Sequence, residues 1–401
     1  METKNLAQTH QQLPYCGAQA LFNRDFIPHR VYNQRRHLDE MDHLLFDSHE
    51  DQQPSLSIVT GIKGTGKNLL MNQLKQKCTA DIQETLVSVD CENKTLSQIL
   101  FSLVSKVMTL LHLPLDPALL CMMSAKEYWA HLKRYAVKLE SPLTILLNSA
   151  EFLDKKCLLK LIDFSHRYGK FNLVLGYNIP GSSLQILDIY QSDYKCNLDK
   201  YEQQDLYHIT RDRCHQAFDF EISTNTISYV VDMIEEFGQQ TPGACINYLK
   251  ELYPKAMDQH EVEAETCRLI SQYCIGQHSF STLSLADFIV EADMLERLVL
   301  DNCISTFKQY DAFYLSFDQL RECYDCGCET LEYDSSAREF YQIVQTFNQN
   351  MILLPSPLQL KQTKFNSLEG VFPVDHFLTL PLDEISELLD VCFGSSDFLP
   401  F

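Results

Sequence analysis

The sequence of 401 residues predicts an α/β fold: a doubly wound parallel sheet, then a helical segment, then a domain containing a winged helix. Short apolar runs alternate with helix-spaced apolar residues between about residues 55 and 180, as in parallel sheets with helical crossovers. Residues 200–255 are predicted to be mostly helical. Helices followed by short strands after about residue 293 indicate the winged helix.

Four apolar runs predict the strands of the sheet, at residues 56–60, 86–91, 143–147 and 171–177. The chain is long enough for two or three domains. We therefore expect an α/β domain at 1–190, a helical lid at 191–260 and the winged-helix domain at 261–401.

Composition restricts the class of protein. The hydrophobic share of 45%, with 23 Phe and 19 Tyr, supplies several cores and excludes global disorder. The 15 cysteines are scattered and odd in number, which favours reduced thiols. No run approaches the roughly 18 apolar residues of a membrane span, and residues 1–15 lack the apolar core of a secretory signal. We expect a cytosolic or nuclear protein without a membrane partner.

The charge is strongly acidic, with 33 Lys and Arg against 54 Asp and Glu and a net formal charge of −21. Such a chain is repelled on average by phosphate backbones. Any contact with DNA is therefore expected to be local or supplied by partners.

A phosphate-binding loop is predicted at residues 61–68, whose sequence GIKGTGKN matches G-x-x-x-x-G-K-[ST] except at its last position. A predicted strand precedes it and a predicted helix follows it, as this motif requires. Glycines let backbone N–H groups face phosphates, and the lysine reaches the β- and γ-oxygens. The candidate ATP-binding residues are Gly61, Gly64, Thr65, Gly66, Lys67 and Asn68. A chance glycine-rich turn, or a vestigial loop that no longer binds nucleotide, remains an alternative.

Magnesium binding is in doubt at this loop. The usual Ser or Thr hydroxyl ligates Mg²⁺, whereas Asn68 offers an amide oxygen on a longer arm. That geometry fits the short octahedral Mg²⁺ shell poorly.

The second acidic motif of a P-loop ATPase is expected directly after strand 143–147, but the acids are missing. Asn148 stands at the Asp position and Ser149 at the Glu position, and neither acts as a general base near neutral pH. Glu151 lies beyond the usual register and suits the first turn of a helix. We therefore expect no hydrolysis by the chain alone.

Two further residues are weaker candidates at this site. Asn178 ends strand 171–177, where a polar residue often senses the γ-phosphate, although a turn-forming role is an equal alternative. Arg167, near a helix end before that strand, is a candidate arginine finger toward a neighbouring subunit, or else a solvated surface residue.

Together these motifs resemble the AAA+ ATPases of the origin recognition complex and the related Cdc6 loaders. Residues 31–38, VYNQRRHL, resemble the segment that flanks the adenine in this family. Segments 87–100, 150–153 and 378–401 are similar to one subunit of the complex more than to its siblings. The chain departs from that pattern at Asn68 and Asn148, and segment 241–245 lacks the lid arginine of active relatives.

The resemblance implies a nuclear protein of DNA replication. It implies other subunits of the complex as partners, in a ring-like assembly around origin DNA that helps load the replicative helicase. Two other functions stay open: an active Cdc6-type ATPase, and a signalling P-loop switch, which would usually carry long repeats that are not found here.

Two further features allow other ligands. Cys323, Cys326 and Cys328 suggest zinc, but no fourth ligand is evident, so plain thiols are favoured. Lys361 and Lys364 are candidates for phosphate contact from a hairpin of the winged helix.

Overall fold

The computed structural model describes residues 13–114, 116–178, 192–275, 282–362 and 370–394. The chain divides into two compact units. One unit is Arg24–Lys200, and the other combines Met1–Asn23 with Tyr201–Phe401.

A five-stranded parallel sheet forms the centre of the unit Arg24–Lys200, so the predicted doubly wound sheet is confirmed. The strands are β1 (Leu56–Gly61), β2 (Leu86–Asp90), β3 (Leu143–Asn148), β4 (Phe171–Asn178) and β5 (Tyr194–Leu198). Their spatial order is β2-β3-β4-β1-β5. The sequence predicted the first four. It missed β5, whose residues alternate between exposed and buried at the edge of the sheet.

Helices cover both faces of this sheet because successive strand residues point to opposite sides. The helices of this unit are α2 (Arg35–Glu50), α3 (Lys67–Lys77), α4 (Ala80–Glu84), α5 (Leu96–Leu110), α6 (Pro117–Cys121), α7 (Ala125–Ala136) and α8 (Lys155–Tyr168). Ile145 packs into a core with α5, α7 and α8, whereas Leu146 packs into a core with α2 and α3.

Local sequence signals explain where two of these helices begin. The Thr95 side chain accepts from the Gln98 backbone N–H while the Gln98 side chain binds the Thr95 N–H, and this capping box starts α5. Ser124 and Glu127 start α7 in the same way. Each box satisfies N–H groups that a helix leaves without intrahelical partners.

The second unit begins with helices. They are α1 (Gln19–Phe22), α9 (Gln203–Ala217), α10 (Thr224–Phe237), α11 (Pro242–Gln259) and α12 (Ala264–Ile275). The Arg213 guanidinium donates to the Ala20 carbonyl oxygen over 2.7 Å, which ties α9 to α1. The Thr241 side chain accepts from the Ala244 N–H and caps α11.

A small antiparallel sheet and further helices complete this unit. Its strands β6 (Tyr314–Leu315), β7 (Leu353–Pro355) and β8 (His376–Leu378) lie in the order β6-β8-β7. One apolar core joins the sheet to five helices. They are α13 (Thr282–Glu291), α14 (Met294–Tyr310), α15 (Phe317–Thr330), α16 (Ala337–Gln349) and α18 (Leu382–Gly394). The short helix α17 (Pro357–Gln362) follows β7.

The two lysines predicted to contact phosphate from a hairpin are Lys361 and Lys364. Lys361 lies on α17, not in a hairpin, and its ammonium pairs with Glu235 over 2.6 Å. Lys364 and residues 395–401 lie outside the described ranges.

The three clustered cysteines all lie on α15. Cys323 and Cys328 are buried and Cys326 is exposed, so their thiols do not converge on one point. Across the described ranges, no group of three or more His, Cys, Asp or Glu side chains is arranged to hold a metal ion. Within the same ranges, no helix is long and apolar enough to cross a membrane.

Candidate nucleotide-binding site

The predicted site residues meet at the carboxyl edge of the parallel sheet. Gly61 at the end of β1 pairs in register with Asn178 at the end of β4. On the other side of β4, Leu147 of β3 pairs with Leu175, so Asn148 follows at the same edge. Ligands of open α/β sheets bind outside the carboxyl ends of the strands. The sheet therefore brings the phosphate loop, Asn148 and Asn178 together.

The loop glycines adopt backbone conformations that other residues avoid. The φ angles are 153° at Gly61 and 94° at both Gly64 and Gly66. A Cβ at Gly61 would lie 2.7 Å from the Leu198 carbonyl oxygen and 2.8 Å from Thr65 Oγ1. Gly61 therefore fits only as glycine, and the loop backbone is free to approach a phosphate closely.

Inside the loop, Thr65 is fully buried and its hydroxyl donates to the Ile62 carbonyl oxygen over 2.9 Å. The buried Gln34 donates from Nε2 to the carbonyl oxygens of Thr65 and Gly66, each over 3.3 Å. These bonds hold the loop backbone in place. Sequence reasoning did not single out Gln34, although it lies within the run 31–38.

Lys67 folds back onto its own loop. Its Nζ donates to the carbonyl oxygens of Gly61 and Ile62, each over 2.7 Å, and its side chain is nearly buried. Burial lowers the pKa of Lys67 to about 8, while the nearby Glu151 carboxylate opposes that effect. A nucleotide phosphate would replace the two carbonyl oxygens as the acceptor of this ammonium.

Asn68 and Asn148 stand at the two positions where a metal-binding ATPase keeps its ligands. Asn68 is half-buried in the first turn of α3. Asn148 is 7% exposed, and its Oδ1 is buried without a hydrogen-bond partner among the described residues. The site thus offers neutral amides where a hydroxyl and a carboxylate are usual.

Glu151 is brought into the site, whereas the sequence indicated only an acid in the first turn of a helix. Ser149 adopts a left-handed conformation (φ 53°, ψ 44°), and a single 3₁₀ turn, Ala150–Phe152, follows it. This turn carries the Glu151 carboxylate to the end of β4. There Oε2 accepts from the Asn178 backbone N–H over 3.0 Å, and Oε1 accepts from Asn178 Nδ2. The Glu151 carboxylate therefore holds both the backbone N–H and the side-chain amide of Asn178.

The residues present fit the phosphates of a nucleotide. Left-handed glycines shape the loop, no side chain caps the start of α3, and the buried Lys67 is the first residue of that helix. The N-terminus of a helix favours negative charge, so α3 and Lys67 together suit an anion. The Mg²⁺ ligand set is weaker, because amide oxygens replace the usual hydroxyl and Asp.

Arg167 does not join this group in the isolated chain. Its guanidinium Nε pairs with Asp163 over 2.9 Å on α8, and its side chain is 72% exposed. It is thus a solvated residue here, and the arginine-finger assignment stays a prediction about assembled subunits.

Comparison with known sequences finds no matching family model and no matching curated protein. Comparison of structures does find relatives. The chain is similar to Cdc6p from Pyrobaculum aerophilum, with a TM-score of 0.68 and 17% identity, covering 93% of this chain and 98% of that one.

Two structures from Aeropyrum pernix are also similar. The ORC1 protein in complex with DNA matches with a TM-score of 0.53 and 15% identity, covering 94% of this chain and 96% of that one. The ORC2 protein with ADPNP and ADP matches with a TM-score of 0.50 and 13% identity, covering 94% of this chain and 99% of that one. At these identities the likeness shows a shared fold along nearly the whole chain.

Proposed function

We propose that this chain is a nuclear, nucleotide-binding core subunit of an origin recognition complex, similar to subunit 5, and that it binds ATP without hydrolysing it. The observation that carries the proposal is the intact phosphate loop beside a second motif that lacks its acids. The shared fold with Cdc6p and ORC1 supports the family, and the sequence segments near residues 87–100 and 150–153 support the particular subunit.

Binding is assigned to the loop glycines and Lys67. Their geometry supplies left-handed backbone and one buried cation at the start of a helix. The solved ORC2 protein of similar fold holds ADPNP and ADP, which is consistent with a nucleotide at this position.

Absence of hydrolysis is assigned to Asn148 and Ser149. Water attack on a γ-phosphate needs a group that orients the water, and in the motif position this chain has a hydroxyl instead. Two acids lie at this edge of the sheet and both already have partners. Glu151 accepts two hydrogen bonds from Asn178. Asp90, in register with Asn148, accepts from the Glu92 backbone N–H and lies 3.6 Å from the Arg24 guanidinium.

We assign the binding of origin DNA to the assembled complex more than to this chain alone, because the chain's net charge of −21 repels phosphate backbones. The element order from α14 to α18, with three antiparallel strands, supports a winged-helix domain after a helical lid. In the assembly, this domain would lie near DNA while partner subunits supply most phosphate contacts.

Two measurements test the proposal. Equilibrium titration with labelled ATP, together with phosphate release, is expected to show binding without turnover, and Lys67→Ala is expected to abolish the binding. Sustained phosphate release that disappears with Lys67→Ala would instead identify an active Cdc6-type ATPase.

The partner assignment needs a separate experiment. Purification of the endogenous complex from native extract, followed by mass spectrometry, is expected to recover other origin recognition subunits. Recovery of the chain with signalling receptors and without any replication protein would contradict the assignment.

A further inference from the structure

We propose that Glu151 is a positioning residue that fixes the Asn178 amide for contact with a γ-phosphate, so that the site distinguishes a nucleoside triphosphate from a diphosphate. The inference rests on the proposed nucleotide binding and deepens it. It concerns an acid that lies outside the usual register of the second motif.

The hydrogen bonds at the end of β4 carry the argument. A carboxylate only accepts hydrogen bonds, so both Glu151 oxygens require donors. Asn178 supplies two, its backbone N–H to Oε2 over 3.0 Å and its Nδ2 to Oε1. Because the Glu151 carboxylate can only accept, the side-chain atom of Asn178 that faces it must be the nitrogen. Which end of an amide is nitrogen is otherwise ambiguous.

The two hydrogen bonds to Glu151 leave the second Nδ2 hydrogen of Asn178 able to donate to another acceptor. An amide held in one orientation loses little entropy when it meets a ligand, whereas a free amide must first be ordered. Without Glu151, the Asn178 side chain could turn its oxygen toward an incoming phosphate and repel it. Glu151 thus keeps a donor available.

Asn178 lies beside the start of the phosphate loop. It pairs in register with Gly61, the first residue of the phosphate loop. The Glu151 charge acts on Lys67, whose ammonium is expected to reach the β- and γ-oxygens. A diphosphate would use the loop and Lys67, while only a triphosphate would also meet Asn178.

The test compares the dissociation constants of ATP and ADP for the full-length chain, by equilibrium titration under one fixed buffer. Glu151→Gln offers one acceptor and one donor in place of two acceptors, so it can hold both Asn178 groups only if the Asn178 amide reverses, which puts its oxygen where the Nδ2 donor had been. We expect ATP binding to weaken about tenfold, the size of one hydrogen bond to a charged group. ADP binding is expected to stay within about twofold.

Two variants complete the comparison. Asn178→Ala removes the proposed contact directly and is expected to reduce the ATP preference to a similar degree. Glu140→Gln removes the same charge from an exposed side chain shortly before β3, at the opposite end of that strand, and is expected to leave both affinities unchanged.

A reciprocal exchange separates positioning from folding. In Glu151→Gln combined with Asn178→Asp, the glutamine amide donates to the new carboxylate and its oxygen accepts the backbone N–H. We expect the melting temperature lost in Glu151→Gln to recover. The ATP preference should not recover, because a carboxylate now faces the γ-phosphate.

The outcomes are distinct. If the wild-type chain binds ATP but its preference over ADP survives Glu151→Gln or Asn178→Ala, this inference fails and the proposed function stands. Tighter ATP binding by Glu151→Gln would also overturn it, since Glu151 would then act by repulsion. If the wild-type chain binds neither nucleotide, the proposed function and this inference both fail.

Discussion

Asp232 on α10 accepts a hydrogen bond from the Ser356 hydroxyl over 2.6 Å, at the residue that precedes α17. The carboxylate is fully buried and has three further donors: the Leu358 N–H at 2.9 Å, Gln203 Nε2 at 2.8 Å and the Tyr314 hydroxyl at 2.9 Å. One acidic side chain therefore links helices α9 and α10 to the small antiparallel sheet.

Replacing Asp232 should give very different results with Asn and with Ala. Asparagine can keep one oxygen toward Gln203 and Leu358 and donate to the hydroxyls of Ser356 and Tyr314, which can reverse their roles. At pH 4, where the folded chain holds Asp232 protonated, we expect Asp232→Asn to change the free energy of unfolding by less than about 1 kcal/mol. Asp232→Ala leaves these buried donors without an acceptor, and we expect it to lower the free energy of unfolding by about 3 kcal/mol. Urea denaturation measures both, and equal losses would contradict the hydrogen-bond account.

The pH dependence of stability should contain two opposing contributions. Burial raises the pKa of Asp232 from 3.8 to about 6, so its contribution to stability falls as pH rises through this window. Burial lowers the pKa of His376 from 6.5 to about 4, so its contribution rises with pH between 4 and 6.5. Each difference corresponds to about 3 kcal/mol.

Variants separate these two contributions. Relative to the wild type, Asp232→Asn is expected to gain stability as pH rises from 4 to 6, and His376→Gln is expected to lose it. Denaturation at pH 4, 5, 6 and 7 gives both differences. Slopes of the same sign in the two variants would show that the burial effects are misassigned.

ATP affinity should fall in alkaline buffer because of Lys67. Burial lowers the pKa of this lysine to about 8, so it loses its proton between pH 7 and pH 9. We expect roughly tenfold weaker binding at pH 9 than at pH 7, since one bound proton is coupled to binding. Lys67→Arg keeps its charge throughout this range and serves as the control. A wild-type affinity that is constant with pH would mean that Lys67 stays protonated.

Removal of magnesium should change nucleotide affinity little. Asn68 and Asn148 place neutral amides where a hydroxyl and a carboxylate normally hold the metal. Titration of labelled ATP with Mg²⁺ and with a chelator tests this. Asn68→Thr with Asn148→Asp is expected to make binding depend on Mg²⁺, and a large loss of wild-type affinity in chelator would identify one amide as a competent ligand.

The isolated chain should bind duplex DNA negligibly near physiological salt, because its net charge is −21. A gel-shift assay with the chain alone tests this expectation. Tight, salt-sensitive binding would show that a local basic surface outweighs the overall repulsion.

Much of the fold was accessible from the sequence because the strands of a parallel sheet are buried on both faces. Residues 143–147 and 171–177 form nearly continuous apolar runs, and both are strands in the structure. The edge strand Tyr194–Leu198 was missed, since its buried and exposed residues alternate and Lys195 and Asn197 interrupt the run. Edge strands carry a weaker hydrophobic signal.

The sequence by itself determined the chemistry available at the site: glycines and Lys67 in a loop of fixed spacing, and amides where acids are usual. These follow from neighbouring residues, so the local order of the chain suffices to find them. Only the tertiary structure decided that Glu151 meets Asn178 and that Asp232 meets Ser356. The members of these pairs lie 27 and 124 residues apart, and their contact depends on strand order and packing that no local pattern encodes.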